Sequence, residues 1–226
     1  TGRDRVILAG HSLGGTLAAI HAALQPQRIA GLALIDAPVV FSERGRLERA
    51  VRAGPPARLI RRLAGSPVAG TALNLLSVAA APDVFVLQRW VDLAGSAGDP
   101  GALAVHARVD RWTLDEFPLP GRLFEDIVEQ LYREDRFRNG TLDVGGDTAG
   151  AAQLDVPVLA VVNPAGRIVA PESMLDLETL RPGLLSRVLH CEREWGPGLQ
   201  HVAPLVGPIA HRQLWPQIAA WMQALR

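Results

Sequence analysis

The feature that most constrains this chain is a strand–turn–helix signal close to its first residue. A short apolar run with β-branched residues, residues 5–9, predicts a buried strand. The small apolar residues after Gly15 are good helix formers and predict a helix. Between them, residues 10–14 are Gly-His-Ser-Leu-Gly, a match to the pattern G-x-S-x-G. We expect Ser12 to occupy a strained turn at the apex, with the flanking glycines allowing the two backbones to approach closely.

Such a turn gives the serine a chemical role. It lifts the Ser12 hydroxyl clear of the sheet, and it aims the Leu13 backbone N–H, at a helix N-terminus, toward an oxyanion formed there. The sequence therefore predicts Ser12 as a nucleophile and Leu13 as an oxyanion donor. The alternative is a tight strand-to-helix turn that happens to carry a serine.

Composition narrows the classes of function. The chain has 226 residues, no net charge and 48% hydrophobic residues, which gives no electrostatic reason to expect nucleic acid or an anionic membrane as a partner. No apolar run reaches the roughly 18–20 residues of a membrane-spanning helix. A single cysteine, Cys191, excludes an internal disulfide framework and fits a reducing compartment. Neither metal-ligand spacing nor a phosphate-cradling loop is present, so no metal and no bound cofactor are predicted.

Strand and helix signals alternate along the chain, which predicts the α/β class: a parallel sheet with helices on both faces. Further buried strands are predicted at residues 29–35, 156–162 and 186–191. Turn clusters separate short amphipathic stretches in residues 41–139, which predicts a helical lid inserted between the core segments 1–40 and 140–226. The alternative is a second small domain with no role in access to a site. Because the chain starts just before the first strand, we expect N-terminal strands of the fold to be missing.

Local patterns add shorter elements. Apolar residues recur at helical spacing from Phe124 onward and predict a helix there. A hairpin is predicted at residues 140–146, and helices at residues 171–180 and 209–225. The lid region also carries large aromatic residues, each of which, taken singly, is more typical of a core: Trp90, Trp112, Phe117 and Phe124.

A serine hydroxyl needs a base to take its proton, so a histidine must reach it. The candidates are His11, His21, His106, His190, His201 and His211. Only His201 follows the last predicted strand in a loop, where the order nucleophile–acid–base places the base. His201 is therefore the predicted general base, and a solvated loop histidine is the alternative.

The acid that would orient this base has no obvious position. The loop after the third predicted strand, residues 163–171, contains no carboxylate. Asp36 ends the second predicted strand, at the same edge of the sheet, and is the preferred substitute. Asp155 and Glu172 are weaker candidates, and the remaining alternative is that no acid orients His201. For Asp36 itself, the alternative is a turn or helix-capping aspartate.

Several stretches beyond the turn resemble one family. They are Arg111-Trp112, residues 117–121 leading to Leu131-Tyr132, residues 139–142 with Gly145-Gly146, residues 154–159 and 167–169, and a tail with His201, Gly207, Leu214-Trp215-Pro216 and Trp221. With the turn and the long helical insertion, they resemble the catalytic subunit of polyhydroxyalkanoate synthases, within the α/β-hydrolase superfamily. The match runs through most of the chain.

The resemblance implies a cytoplasmic acyltransferase of the α/β-hydrolase fold. Such enzymes move a 3-hydroxyacyl group from coenzyme A, here a substrate carrier, to a nucleophile under a lid and then to a growing polyester. A polyester granule and a second copy of the chain are the partners it implies. These synthases use Cys–His–Asp, whereas this chain has Ser12 in place of the cysteine and Gly166 in place of the aspartate. Only the histidine carries over, at His201.

Three functions therefore remain at this point. The first is acyl transfer from a hydroxyacyl thioester or ester through a Ser12 acyl-enzyme. The second is a serine esterase that releases the acyl group to water, since Gly-His-Ser-Leu-Gly is common in esterases and lipases. The third is a non-catalytic relative that binds acyl chains or polyester.

Overall fold

The computed structural model describes residues 4–41, 45–115 and 117–225. In chain order its strands are β1 (Val6–His11), β2 (Ile29–Ile35), β3 (Leu142–Val144), β4 (Asp147–Ala149), β5 (Val158–Val162) and β6 (Leu185–His190). Four of them form a sheet in the order β1-β2-β5-β6, and each neighbouring pair is parallel. The carboxyl ends of these strands therefore meet at one edge, as an α/β site requires.

Helices connect and cover the strands. The α-helices are α1 (Leu13–Leu24), α2 (Arg46–Ala53), α3 (Ala57–Ala64), α4 (Gly70–Ala80), α5 (Gln88–Ser96), α6 (Pro100–Leu114), α7 (Gly121–Asp126), α8 (Glu172–Leu175), α9 (Leu177–Leu180), α10 (Ala203–Val206) and α11 (Trp215–Ala224). Wider π-helical turns precede α5 and α11 and follow α7, at Asp83–Leu87, Ala210–Leu214 and Ile127–Arg133.

Alternation along the strands builds a core on each face of the sheet. In β2, Leu32 and Leu34 pack with residues of α1, α8 and α9, whereas Ala33 and Ile35 pack with residues of α10 and α11. This is the period-two alternation of a strand that is buried on both sides. Helices therefore cover both faces, which confirms the predicted fold class.

Most predicted elements are present, with shifted boundaries. The hairpin turns at Gly145-Gly146, both at positive φ, but its second strand, β4, lies beyond the predicted residues 140–146. Consecutive residues of positive φ suit glycine and match the twist of paired strands. The predicted helix 171–180 is broken into α8 and α9, and the predicted helix 209–225 begins with a π-helical turn before α11.

The helical segment 46–133, α2 to α7 with the π-helical turn that follows α7, lies between β2 and β3 in the chain. The expectation that its large aromatic residues are core residues holds for Phe124 and is wrong for three others, since the exposed fractions are 66% for Trp90, 60% for Trp112 and 87% for Phe117. Trp90 and Trp112 lie on α5 and α6, and Phe117 lies in the loop before α7. Within the described ranges, no single helix has the length and apolarity to span a membrane, and α4 meets them only together with Asp83–Ser96, to which it is bent by 104°.

Candidate active site

Ser12 lies at the turn between β1 and α1. Its backbone has φ 53° and ψ −134°, a strained conformation for a residue other than glycine. Its N–H donates to the Ile35 carbonyl at 3.1 Å, and its carbonyl accepts from the Gly15 N–H at 2.9 Å. Since α1 begins at Leu13, the Leu13 N–H has no acceptor within the helix. The turn thus has the shape expected for a nucleophile with an adjacent oxyanion donor.

The glycines that allow close backbone approach around this turn are not the two that the sequence predicted. A Cβ on Gly10 would lie 2.5 Å from Gly14 O and from Gly15 N and Cα, so close approach requires glycine there. A Cβ on Gly15 would lie 2.4 Å from the Ala37 Cβ. A Cβ on Gly14 would meet nothing within 4 Å. The close approach expected on both sides of Ser12 is therefore made by Gly10 and Gly15, and the expectation for Gly14 is wrong.

Asp36 follows β2 directly and faces His201. The Asp36 backbone adopts φ 42°, and its N–H donates to Val161 O at 2.9 Å. Its Oδ2 lies 2.8 Å from His201 Nδ1, and the exposed fractions of the two residues are only 1% and 8%. Burial raises the pKa of Asp36, and the hydrogen bond with His201 opposes that rise. The carboxylate therefore holds the imidazole in one orientation.

Gly166, where a carboxylate was expected, lies directly beside this pair. A Cβ on Gly166 would lie 3.2 Å from Asp36 Oδ2 and 3.2 Å from Asn163 O. The Asp36 carboxylate thus fills the space that a side chain at Gly166 would enter. Asn163, which is fully buried, shapes this loop: its side-chain oxygen accepts from the Gly166 N–H at 3.1 Å, and its amide donates to the Gln200 carbonyl.

The other two acid candidates are placed elsewhere. Asp155 is mostly exposed and pairs with Arg181 at the surface. Glu172 is the first residue of α8, and among the hydrogen bonds of the described residues neither carboxylate is joined to His201.

His201 lies on a short 3₁₀ turn, Gln200–Val202, rather than in an open loop. His11, the residue before Ser12, donates from Nε2 to the His201 carbonyl at 2.8 Å, since a carbonyl oxygen can only accept. The two imidazole centroids lie 4.5 Å apart. Across the ranges that the structure covers, no hydrogen bond joins the Ser12 hydroxyl to His201. His11 thus links the serine turn to the histidine turn through the backbone.

His11 makes stability depend on pH. Burial, and next the nearby His201, lower its pKa from 6.5 to about 4. Between these two pH values the unfolded chain binds more protons than the folded one. The free energy of unfolding therefore has its full value above pH 6.5 and decreases as the pH drops to about 4. The loss is at most about 3 kcal/mol. We expect urea unfolding to show this loss in the parent, and a flatter dependence in His11→Gln. An equal slope in both proteins would contradict the assignment.

The chain's single cysteine lies near the site but is not activated. Cys191 follows β6, and its N–H donates to the Val162 carbonyl at 2.8 Å. Burial first, and then the nearby Glu194, Asp36 and Glu192, raise the pKa of its thiol to about 12. A thiol must ionise to attack, so Cys191 does not replace the cysteine of the synthases as a nucleophile.

The helical segment 46–133 and the His201 turn line an open cavity of about 450 Å³. His201 lines it together with Leu199 and Val202, and the helical segment contributes Leu73, Phe85 and Trp112. A few polar side chains face the same space: Asn74, Ser77, Arg89 and Asp115. This mainly apolar volume suits an acyl chain. A second cavity of about 440 Å³ also borders Trp112 but not His201, and Ser12 and Asp36 line neither of these two cavities.

One buried side-chain pair of the helical segment was missed by the sequence reasoning, which considered His106 only as a candidate base. Asp92 on α5 and His106 on α6 form a side-chain pair at 2.9 Å. They are 14 positions apart on different helices, so no local spacing signals the contact. The remaining candidates His21, His190 and His211 are exposed. No group of three or more histidine, cysteine or carboxylate side chains in the described part of the chain has a metal-binding arrangement.

Comparison with known proteins agrees with the observed fold. The family described as the alpha/beta hydrolase fold matches residues 1–73. Among solved structures, a monoglyceride lipase from Saccharomyces cerevisiae has a TM-score of 0.57 at 14% identity, covering 97% of this chain and 65% of the lipase. A monoacylglycerol lipase from Paleococcus ferrophilus has a TM-score of 0.54 at 15% identity, covering 99% and 70%. At these identities the similarity establishes the fold.

Similarity in sequence points to a narrower group of proteins than similarity in structure does. The poly(3-hydroxyalkanoate) polymerase subunit PhaC of Haloferax mediterranei is 23% identical over 98% of this chain and 44% of its own length. The subunits of the same name from Thiocystis violacea and Synechocystis are 24% and 25% identical, with 60% and 58% of their lengths covered. The chain thus spans about half the length of these curated relatives. It has the α/β-hydrolase fold, and over nearly its whole length it resembles poly(3-hydroxyalkanoate) polymerase subunits.

Proposed function

We propose that this chain carries a Ser12–His201–Asp36 triad that transfers a hydroxyacyl group from a thioester or ester. The observation that supports it most is the buried 2.8 Å contact between Asp36 and His201, next to the strained Ser12 turn. Three segments that are distant in sequence supply the nucleophile, base and acid at one edge of the sheet. A merely capping aspartate would not need a buried imidazole partner.

In the proposed reaction, His201 takes the proton of Ser12 as Oγ attacks the carbonyl carbon. The Leu13 N–H stabilises the oxyanion of the tetrahedral intermediate. That intermediate collapses as the thiol or alcohol leaves with the proton from His201, and the acyl group remains on Ser12. A second hydroxyl group, deprotonated by His201, then attacks the acyl-enzyme, and His201 returns that proton to Ser12 Oγ as the product leaves.

The Ser12–His201 hydrogen bond has to form when substrate binds, because apo triads often have loose geometry. Before substrate binds, the hydrogen bond from His11, the residue before Ser12, to the His201 carbonyl keeps the two turns adjacent. We further propose that residues 41–139 act as a lid, supported by the cavity that His201 shares with α4 and α6. A coenzyme A thioester as donor, a polyester as acceptor and a cytoplasmic location belong to the same proposal, and they rest on the resemblance to the polymerases.

Hydrolysis to a free acid is the second candidate, and the serine itself favours it. A thiolate is intrinsically nucleophilic and a good acyl carrier, whereas a serine depends on its base, which activates water equally well in the second step. The two functions share every residue up to the acyl-enzyme and differ only in the acceptor.

The test is labelling of the purified protein with a fluorophosphonate, which reacts with activated serines. We expect the parent to be labelled, Ser12→Ala to lose labelling, and Ser77→Ala to keep it, because the Ser77 hydroxyl lines the cavity beside His201 but donates to the Leu73 carbonyl and has no part in the triad. Mass analysis of products from a 3-hydroxyacyl thioester then separates oligomers from free acid. Absence of labelling in a folded parent would overturn the proposal in favour of acyl-chain binding without catalysis.

A further inference from the structure

The pair Asp92–His106 is buried in the helical segment and takes part in no step of the proposed reaction. Asp92 is only 2% exposed and its Oδ2 lies 2.9 Å from His106 Nδ1. A buried carboxylate is costly unless hydrogen bonds compensate for its lost hydration. The partners of Asp92 therefore indicate what it holds in place.

Its other partners are backbone groups of the loop that leads to His201. Oδ2 of Asp92 accepts from the Gly196 N–H at 3.1 Å and from the Gly198 N–H at 3.0 Å, and Oδ1 lies 3.2 Å from the Gly196 nitrogen. Both glycines have positive φ, 112° and 72°, so the loop takes a conformation that turns two N–H groups toward one carboxylate. One side chain of α5 thus fixes this loop.

Only a short stretch separates the fixed loop from the imidazole. After Gly198, the Val202 N–H donates to the Leu199 carbonyl at 3.0 Å, closing the turn that carries His201. Leu199 and Val202 pack in one apolar cluster with Val105 and Val109 of α6. Residues 196–198 therefore adjoin the turn that carries His201, and that turn packs against α6.

Further polar contacts connect the Asp92–His106 pair with the cavity that His201 lines. His106 Nε2 lies 3.4 Å from Asp110 Oδ2, and Asp110 pairs with Arg89. Arg89 lines the same cavity as His201. The polar chain from Gly198 through Asp92, His106 and Asp110 ends at a side chain that an acyl substrate in this cavity would contact.

We propose that Asp92 is a positioning residue for His201. Its carboxylate holds residues 196–198 against α5 and thereby keeps the His201 imidazole in contact with Asp36. The proposal rests on the proposed function, in which His201 is the base. It predicts that loss of Asp92 changes the geometry of the base, and not only the stability of the helical segment.

The test compares Asp92→Ala with Ser96→Ala. Ser96 lies one turn later on the same helix, is fully buried and donates to the Asp92 backbone carbonyl, so its loss perturbs α5 without touching the loop. The first readout is the low-field proton resonance of the His201 Nδ1–H, assigned by its absence in His201→Gln. We expect Asp92→Ala to shift or lose this resonance and Ser96→Ala to keep it.

The second readout is kinetic. A displacement of about 1 Å in a catalytic group costs on the order of 100-fold, so we expect Asp92→Ala to lower kcat by about that factor at an unchanged KM. Asp92→Asn keeps one accepting oxygen for the glycine N–H groups, and we expect about a tenfold loss from the misplaced amide. Ser96→Ala should remain within twofold of the parent.

The outcomes are distinct. A folded Asp92→Ala with the parent resonance and the parent kcat overturns the proposal. If Asp92→Ala does not fold, Asp92→Asn decides, because a parent-like resonance and rate in that variant overturn it equally. If the parent is not labelled by a fluorophosphonate, the proposed function fails, whereas the His201 resonance still reports whether Asp92 positions the ring.

Discussion

Asp36→Asn is expected to slow labelling of Ser12 by about four orders of magnitude, the loss that follows when an orienting aspartate is neutralised in a Ser-His-Asp triad. The amide can donate to His201 Nδ1, which stabilises the wrong tautomer and leaves Nε2 unable to accept the Ser12 proton. Asparagine also tolerates the φ of 42° at this position, so the fold should survive. The measurement is the second-order rate of fluorophosphonate labelling.

Moving the carboxylate from position 36 to position 166 tests the role of the acid by a gain of labelling rate. Asp36→Gly removes the carboxylate, suits the positive φ and vacates the space beside Gly166, so it should be as slow as Asp36→Asn. In Asp36→Gly/Gly166→Asp, the new side chain enters from a Cβ position 3.2 Å from where Asp36 Oδ2 lay. We expect the double variant to recover at least tenfold over Asp36→Gly. Labelling at the parent rate in Asp36→Asn would show that no acid is required.

Gly10→Ala is expected to destabilise the protein by about 3 kcal/mol or more, a large fraction of the stability of a typical domain. Its Cβ would lie 2.5 Å from backbone atoms of Gly14 and Gly15, and backbone cannot rotate out of the way as a flexible side chain can. Relief would require β1 and α1 to separate at the turn that carries Ser12. Urea unfolding monitored by circular dichroism measures the change.

Gly14→Ala is the matched control, and the expected sign is opposite. Gly14 lies in the first turn of α1, and its added Cβ would meet nothing within 4 Å. Alanine reduces the conformational freedom of the unfolded chain and favours the helix, so we expect a gain of about 0.4–1 kcal/mol. Destabilisation of both variants by similar amounts would mean that the turn responds to any side chain, and would contradict the steric argument.

The parts of this molecule that sequence predicts well are those that local patterns encode. The run before Ser12 and the run 29–35 are apolar with β-branched residues, and both form strands of the parallel sheet. The histidine and the substitute acid could be chosen from strand ends together with the order nucleophile–acid–base, because parallel strands place their carboxyl ends together. The structure does bring Asp36 and His201 into contact.

Non-local features could not be predicted in this way. The assignment of close approach to Gly14 instead of Gly15 failed because it depends on Ala37, which follows the neighbouring strand. The Asp92–His106 pair depends on the packing angle of two helices, and no residue spacing encodes that angle. The burial of Trp90 and Phe117 was mispredicted for the same reason. Both side chains are exposed, and the hydrophobicity of a residue does not by itself say whether other elements cover it.

The closeness of Asp36 and Gly166 has an evolutionary consequence. The loops after two neighbouring strands meet here, so a carboxylate introduced at position 166 would lie beside the one that Asp36 already supplies. Two carboxylates that lie close together do not both ionise readily, so a chain with both acids would keep a proton on one of them. In the proposed triad, either acid of such a chain is a candidate to orient the imidazole. This edge of the sheet thus offers a route by which the acid of a triad moves from one strand to its neighbour by single substitutions.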